Sequence, residues 1–185
     1  MLYQFKIQLQ DISDPPVWRR VTVPAQFNFM QLHEVIQYVF GWEDYHLYQF
    51  SSKGYGSDDT IVHPHDEDGI KADEVKLTEV FSKKGQKFIY IYDFGDDWIH
   101  TITLEDVIDE KKLKATCLDG KGACPPEDCG GPFGYERLKE IVKNSDDPEY
   151  DEIREWLMLD EDEEWDSEAF TKEEMADINE ILVDI

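Results

Sequence analysis

Two segments of alternating apolar and polar residues, joined by a short turn, constrain the fold of this chain more than any other feature. Residues 88–93 and 98–104 place every second side chain on one face, which is typical of half-buried β-strands. Between them, Gly95, Asp96 and Asp97 are residue types that tolerate the positive φ of tight turns. The pattern predicts a β-hairpin, and it places His100 on the same face of the second strand as Trp98, either in the interior or in a cleft.

The first part of the chain predicts a second hairpin followed by a helix. Residues 3–9 and 17–23 alternate in the same way on either side of a Pro-Pro turn. Asn28 and Gln31 then have the spacing of a capping box, and Gly41 ends the apolar periodicity. We expect a strand near residues 47–50, a loop over 53–73, a short helix near 77–81 and a further strand near 113–117.

Helical spacing dominates the last third of the sequence. It predicts a helix over residues 135–142, a second helix capped by Asp147 with Pro148 at its first position, and a third that starts at a capping box of Thr171 and Glu174. The predicted fold class is therefore α+β, with a mainly antiparallel sheet built from two hairpins, helices packed on one face and a helical C-terminal part. We expect one domain over residues 1–185, with an α+β body at 1–143 and an acidic helical part at 144–185.

The charge of the chain restricts its partners. The net charge is −25, and residues 144–185 contribute 18 acidic and 2 basic residues to it. Such a surface repels phosphate backbones and anionic membranes, so direct nucleic-acid binding is not expected, whereas a basic protein partner is compatible with it. The sequence has no apolar run long enough to span a bilayer. With three cysteines and no signal peptide, it predicts a cytoplasmic protein with reduced thiols.

Cysteines and a histidine form the first candidate site. Thiolates and imidazoles are good zinc ligands, so Cys124 and Cys129 with His100, and Cys117 nearby, are candidate ligands for zinc. Against this, the spacing of Cys124 and Cys129 is wider than the close pairs of zinc knuckles and ribbons. Buried apolar cysteines, or an adventitious disulfide, are the alternatives.

Acidic residues form the second candidate site. Asp93, Glu127 and Asp128 could hold Mg²⁺ or Ca²⁺, or act as acid and base. Asp96 and Asp97 could also belong to this set, but hairpin turns favour Asp for conformational reasons, so a structural role explains these two residues. A His-Pro-His-Asp group at residues 63–66 is a weaker metal candidate, because acidic loops with two histidines are common. Glycines at 130–131 ahead of a helix could cradle an anion, although a tight structural loop is the stronger interpretation.

These motifs resemble a known family. Residues 92–98 with His100 (YDFGDDW-x-H) and residues 122–131 with Gly134 and Tyr135 (GACPPEDCGG-xx-GY) are similar to the plasmid pRiA4b ORF-3-like family. An N-terminal signature matches as well, in Val17-Trp18-Arg19-Arg20, Leu32-His33, Gly41-Trp42 and His46-Leu47. The resemblance covers essentially the whole chain and implies an α+β fold. Some members are labelled transposon resolvases, but a serine recombinase needs a basic DNA-binding surface that this acidic chain lacks.

Three functional hypotheses follow. The leading one is a module that binds an unknown ligand or protein partner, with its site at the 89–100 hairpin and the 117–135 Cys/Pro/Gly loop. Its predicted ligand-binding residues are Asp93, Trp98, His100, Glu127, Asp128 and Tyr135. The first alternative is a metal-dependent hydrolase that uses His100 with nearby acids or cysteines. The second alternative is an acidic accessory protein that binds a basic nucleic-acid-handling partner through residues 144–185.

Overall fold

One eight-stranded sheet organises the protein in the computed structural model, which describes residues 1–160 and 162–185. The strands follow the order β5-β4-β3-β6-β7-β1-β2-β8, and every neighbouring pair is antiparallel except β4 with β5. This confirms the predicted mainly antiparallel sheet. The strands are β1 Leu2–Leu9, β2 Trp18–Pro24, β3 Tyr48–Ser51, β4 Ile61–Val62, β5 Ile70–Lys71, β6 Lys87–Tyr92, β7 Trp98–Ile108 and β8 Thr116–Lys121.

The two predicted hairpins form the middle of the sheet. Strands β1 and β2 pair with one another, as do β6 and β7, and the two hairpins join where β1 pairs with β7. In that join Phe5 lies opposite Leu104. The first strand of the chain is therefore an interior strand of the sheet, held on one side by a partner that is distant in sequence.

Helix α1, Phe29–Phe40, covers one face of the sheet. Its capping box is as predicted: the Gln31 amide donates to Asn28 Oδ1 at 2.9 Å, and the Asn28 amide donates to Gln31 Oε1 at 3.1 Å. The helix ends at Gly41, which has φ +71°. Its fully buried Phe29 packs against Phe50 with ring centroids 5.0 Å apart, and burying a side chain of this size stabilises the fold by about 1.5–3 kcal/mol.

The remaining helices are α2 Leu77–Val80, α3 Gly131–Ile141, α4 Tyr150–Trp156 and α5 Lys172–Ile181, followed by a 3₁₀ turn at Leu182–Asp184. Helix α5 covers the outer edge of β8, where the Asn179 side chain accepts from the Cys117 amide and donates to the Cys117 carbonyl. Phe170, just before α5, stacks on the Arg19 guanidinium, which also donates to the Val39 carbonyl of α1. The C-terminal part is thus helical and packs on the same side as α1.

Some elements differ from their predicted positions. The region 53–73, predicted to be a loop, contributes the two short strands β4 and β5 to the sheet edge. They are two residues long, which is too short for a periodic signal. Strand β8 begins near the end of the predicted 113–117 segment and continues to Lys121. Helix α4 begins after Glu149 rather than at Pro148, because the Asp147 carboxylate accepts from the Glu149 amide in a preceding turn.

Candidate functional site

Three segments that are distant in sequence meet at one end of the β6–β7 hairpin. They are residues 42–47 after α1, the hairpin turn 93–97, and the loop 123–131 before α3; we call this meeting point the junction. The Trp42 indole donates to the Pro125 carbonyl at 2.9 Å, and the Glu43 amide donates to Glu127 Oε2 at 3.0 Å. The Gly130 amide donates to Asp96 Oδ2 at 3.0 Å. The 89–100 hairpin and the 117–135 loop, which the sequence motifs singled out, are therefore in contact.

Aromatic packing fixes the base of the junction. Trp42 is buried and stacks on Tyr92 with ring centroids 5.0 Å apart. The Tyr92 hydroxyl donates to Glu127 Oε1 and accepts from the Tyr45 amide. Burial, followed by the adjacent Glu127 carboxylate, holds the pKa of Tyr92 well above its usual value. Tyr92 is therefore a neutral hydrogen-bond donor that positions the Glu127 carboxylate.

A second hydrogen-bond network holds the 42–47 segment against α1 and β6. The buried His33 of α1 has Nδ1 2.8 Å from the Tyr90 hydroxyl and Nε2 2.9 Å from Asp44 Oδ1. The Asp44 amide in turn donates to Gln37 Oε1 at 3.0 Å. Burial lowers the pKa of His33, partly offset by Asp44. The segment that carries His46 is consequently tied to α1 and to β6.

His46, Asp93 and Asp128 bring their ligand atoms together at the junction. His46 Nε2 lies 3.1 Å from Asp128 Oδ1 and 3.7 Å from Asp93 Oδ2, and all three ligand atoms lie within 4.8 Å of one another. Within residues 1–160 and 162–185 this is the one group of three or more His, Cys, Asp or Glu side chains with such spacing. Asp93 and Asp128 were predicted as site residues. His46 was noted in sequence only as part of a signature motif, so its position beside these two aspartates was not predicted.

Both aspartates lie in turns and have a left-handed backbone conformation. Asp93 has φ +55° and Asp128 has φ +58°, a region that Asp adopts more readily than most residues. Asp93 is only 8% exposed, and its Oδ1 accepts from the Gly95 amide at 2.8 Å. Its Oδ2 is the oxygen that faces His46. One carboxylate is therefore fixed within the protein, and the other projects from the loop.

Three of the predicted ligand-binding residues lie in the core. Trp98, His100 and Tyr135 are at most 1% exposed. His100 has Nδ1 2.9 Å from the Trp98 carbonyl oxygen and packs edge-on against Trp42. Burial lowers the pKa of His100 to about 3, so the imidazole is neutral. The sequence pattern placed His100 either in the interior or in a cleft, and the structure places it in the interior.

The cysteines lie apart from the histidine with which they were grouped. His100, Cys124 and Cys129 do not form a set with metal-ligand spacing among the described residues. All three cysteines are free, and Cys117 is buried in β8. Burial raises the pKa of Cys117 to about 11 and that of Cys129 to about 12. The zinc hypothesis for these residues thus has no geometric support, and their environment is that of apolar, protonated thiols.

The Gly130–Gly131 turn is a close contact between segments. A Cβ atom on Gly131, which has φ +69°, would lie 2.4 Å from the Asp96 carbonyl oxygen. The Gly130 amide is occupied by the Asp96 carboxylate. This agrees with the interpretation of the glycines as a tight structural loop, since the amide that would face an anion already has a partner.

A surface groove adjoins the junction on its other side. It has a volume of about 600 Å³ and runs between the start of β3, the hairpin turn and the β4–β5 edge. Leu47, Ile70 and Phe94 line it while remaining 52%, 47% and 42% exposed. Its acidic lining residues are Asp58, Asp66, Glu67 and Asp68. We call it the acidic groove. His46 and Asp93 directly precede the lining residues Leu47 and Phe94 in sequence, but they belong to the junction.

Together, the fold and the junction define an α+β protein with a single mainly antiparallel sheet and a polar site built from three loops. The chain belongs to the plasmid pRiA4b ORF-3-like protein family, whose model matches residues 1–174. It is 36% identical over 158 residues to "Uncharacterized protein y4hQ" of Sinorhizobium fredii (strain NBRC 101917 / NGR234), covering 83% of this chain and 79% of that protein.

A solved structure has the same fold. The crystal structure of the protein of unknown function MM3350 from Methanosarcina mazei Go1 superposes with a TM-score of 0.78 at 34% sequence identity. The match covers 94% of this chain and 97% of that chain. In the described part of the chain, none of the helices combines the length and apolar character needed to cross a membrane.

Proposed function

We propose that the protein is a binding module that takes a basic, partly apolar segment of a partner protein into the acidic groove. The observation that carries this is the coexistence of exposed apolar side chains and four acidic side chains in one concave surface. Exposed apolar patches rimmed by polar residues are typical of interaction sites. The proposal keeps the predicted 89–100 hairpin as part of the site, through Phe94.

The apolar part of the groove would supply the anchoring contacts. Phe94 is 42% exposed at the tip of the hairpin, and Tyr55 packs edge-on against it with ring centroids 6.2 Å apart. Leu47 and Ile70 line the same groove. Aromatic residues in partly enclosed positions carry a large share of binding free energy at protein interfaces. A partner segment with apolar side chains would therefore bury Phe94.

The negative charge of the groove favours a partner segment with positive charge. Four acidic side chains line it, and no lining residue in the described chain is Lys or Arg. Opposite charges across an interface raise the association rate and exclude partners of the wrong sign. Lysines or arginines on the partner would satisfy this surface. This retains the basic partner considered for the C-terminal part, but moves its contact from residues 144–185 to the groove.

Fluorescence anisotropy with labelled peptides tests the proposal. The probes are a short peptide that alternates Lys and Leu, one that alternates Glu and Leu, and one that alternates Lys and Ser. We expect saturable binding of the first alone, weakened about tenfold by Phe94→Ala. Binding of the Lys–Ser peptide at equal affinity would show that charge alone is responsible and would overturn the apolar anchor.

A pair of charge-matched variants separates the groove from bulk charge. The groove variant carries Asp66→Asn and Asp68→Asn, and the control carries Glu173→Gln and Asp177→Asn on the exposed side of α5. Both lose two negative charges. Weaker binding in the groove variant alone supports the proposal. Equal weakening in both, or weakening in the α5 variant alone, rejects the groove as the site.

A further inference from the structure

Three separate loops aim a histidine and two aspartates at one small space in the junction. We propose that His46, Asp93 and Asp128 bind a divalent first-row transition-metal ion, with Zn²⁺ as the representative. The site differs from the Cys124–Cys129–His100 set suggested by the sequence. It also stands independently of the acidic groove, because none of the three side chains is needed to bind a peptide there.

The spacing of the ligand atoms fits a common metal centre. Zinc bonds to nitrogen and oxygen are about 2.0–2.2 Å long, so two ligands of one tetrahedral ion lie about 3.4 Å apart. The distances from His46 Nε2 to Asp128 Oδ1 and to Asp93 Oδ2 are 3.1 and 3.7 Å. These separations bracket the tetrahedral value, so an ion can be placed with small side-chain adjustments.

The unpartnered ring nitrogen of His46 is a second observation that supports a metal site. Its Nε2 atom is buried, yet it has no hydrogen-bond partner. The Asp128 oxygen is 3.1 Å away, which is close enough for an ion-pair contact, but it does not meet hydrogen-bond geometry. A buried ring nitrogen without a hydrogen bond is costly. A metal ion in the shared space would satisfy it through the nitrogen lone pair.

Among the described residues, His46 is the one basic side chain within ion-pair distance of the Asp93 and Asp128 carboxylates. Across the described chain, no Lys or Arg side chain comes within ion-pair distance of Asp93 or Asp128, and His46 is their common neighbour. Two carboxylates held beside one another repel, and a bound cation removes that repulsion. The electrostatics therefore favour a positive ion between them.

The ligand set indicates the class of metal. Imidazole nitrogen favours zinc, iron, nickel and copper, whereas Mg²⁺ and Ca²⁺ prefer all-oxygen sites. Asp128 has a side chain that is 68% exposed, so the ion would sit at the surface end of the junction. Three protein ligands leave a coordination position for water or for an exogenous ligand, as in open zinc sites.

Isothermal titration calorimetry with ZnCl₂ and with MgCl₂ tests the site on the full chain, purified without a metal-binding tag and treated with a chelator. We expect one zinc ion per chain and no comparable Mg²⁺ binding. His46→Gln and Asp128→Asn should each weaken zinc binding by at least about tenfold. Substituted Co²⁺ should give a visible spectrum without the thiolate charge-transfer band that cysteine ligation produces.

Matched variants identify the ligands. Asp106→Asn makes the same chemical change as Asp128→Asn on an aspartate of similar exposure, 56%, far along β7. This variant, Cys124→Ser with Cys129→Ser, and His63→Gln with His65→Gln should all keep zinc affinity within about twofold of the parent. Circular dichroism confirms that each variant is folded.

Two results would overturn the proposal. One is the absence of stoichiometric zinc binding when ZnCl₂ is titrated into the parent protein, which would leave His46 as an ion-pair partner only. The other is zinc binding that survives His46→Gln and Asp128→Asn, or that disappears with the cysteine or the His63 and His65 variants.

Discussion

The Trp42 indole nitrogen donates to the Pro125 carbonyl oxygen at 2.9 Å, and this bond connects the end of α1 to the loop before α3. Both groups are buried, and Trp42 also stacks on Tyr92 of the hairpin. One side chain of the 42–47 segment thus contacts both the 123–131 loop and strand β6 of the hairpin. The position of the 123–131 loop depends on a residue that is far from it in sequence.

Replacing Trp42 by Phe tests that dependence. The ring stacking is largely kept, but the Pro125 carbonyl loses its buried donor, so we expect the free energy of unfolding to fall by about 1–3 kcal/mol. Urea denaturation followed by circular dichroism measures it. Trp156→Phe is the control, since Trp156 is 43% exposed and should change stability by less than about 0.5 kcal/mol. Equal losses in the two variants would contradict the role assigned to the Pro125 bond.

His100 should make stability depend on pH. Burial lowers its pKa to about 3, whereas an unfolded histidine titrates near about 6.5. Between these values the unfolded chain binds more protons, so stability falls as pH falls, by up to about 1.4 kcal/mol per pH unit. His100→Gln should flatten the curve by nearly that slope between about pH 6 and pH 4.

Urea denaturation of the parent and the His100→Gln variant across that pH range measures the difference. His33, whose pKa burial also lowers, and the carboxylates remain in both proteins, so their contributions cancel. Parallel curves for the two proteins would mean that His100 is not the neutral, buried group described here.

Gly131→Ala should strongly destabilise the junction. The new Cβ would lie 2.4 Å from the Asp96 carbonyl oxygen, and the residue would have φ +69°. The control is Gly56→Ala, because Gly56 has φ +73° but no atom within 4 Å of its would-be Cβ. Both variants bear a conformational cost of about 1–3 kcal/mol, and Gly131→Ala should cost at least about 2 kcal/mol more through the clash. Thermal and urea unfolding of the pair check this, and similar losses would show that the loop can move away.

Asn179 should protect the edge of β8. Its side chain makes hydrogen bonds of 2.7 and 2.9 Å with the amide and carbonyl of Cys117, in the way a neighbouring strand would. Asn179→Ala should destabilise by about 1–3 kcal/mol and speed hydrogen exchange at the Cys117 amide. Glu180→Ala, an exposed change on the same helix, is the control. Unchanged exchange at Cys117 in Asn179→Ala would contradict the edge-covering role.

The hairpins and α1 could be predicted from sequence because their signals are local. Strand periodicity marked β1, β2, β6 and β7, and the Asn28–Gln31 pair marked the start of α1. The short strands β4 and β5 could not be predicted, since a pair of residues has no period. Their place in the sheet comes from pairing with β3 and with one another.

The candidate site was predictable only in part. The sequence pointed to Asp93 because it continues the aromatic strand, and to Asp128 because it lies in a Cys/Pro/Gly loop whose acids no core packing requires. His46 gives no such local signal, and its two carboxylate neighbours come from distant loops. For His100 the alternation correctly gave the face, shared with Trp98, but whether that face lined a cleft depended on α1, whose Phe40 covers it.

The pairing of β1 with β7 has a consequence for how the chain folds. Strand β1 is synthesised well before β7, so it gains one of its two partners only after β7 has been made. Until then the β1–β2 hairpin is a two-stranded ribbon with an unpaired edge, and such ribbons are marginally stable. Closing the sheet requires contacts of long sequence separation, which slows folding. We therefore expect the sheet to assemble in one late, cooperative step instead of growing strand by strand during synthesis.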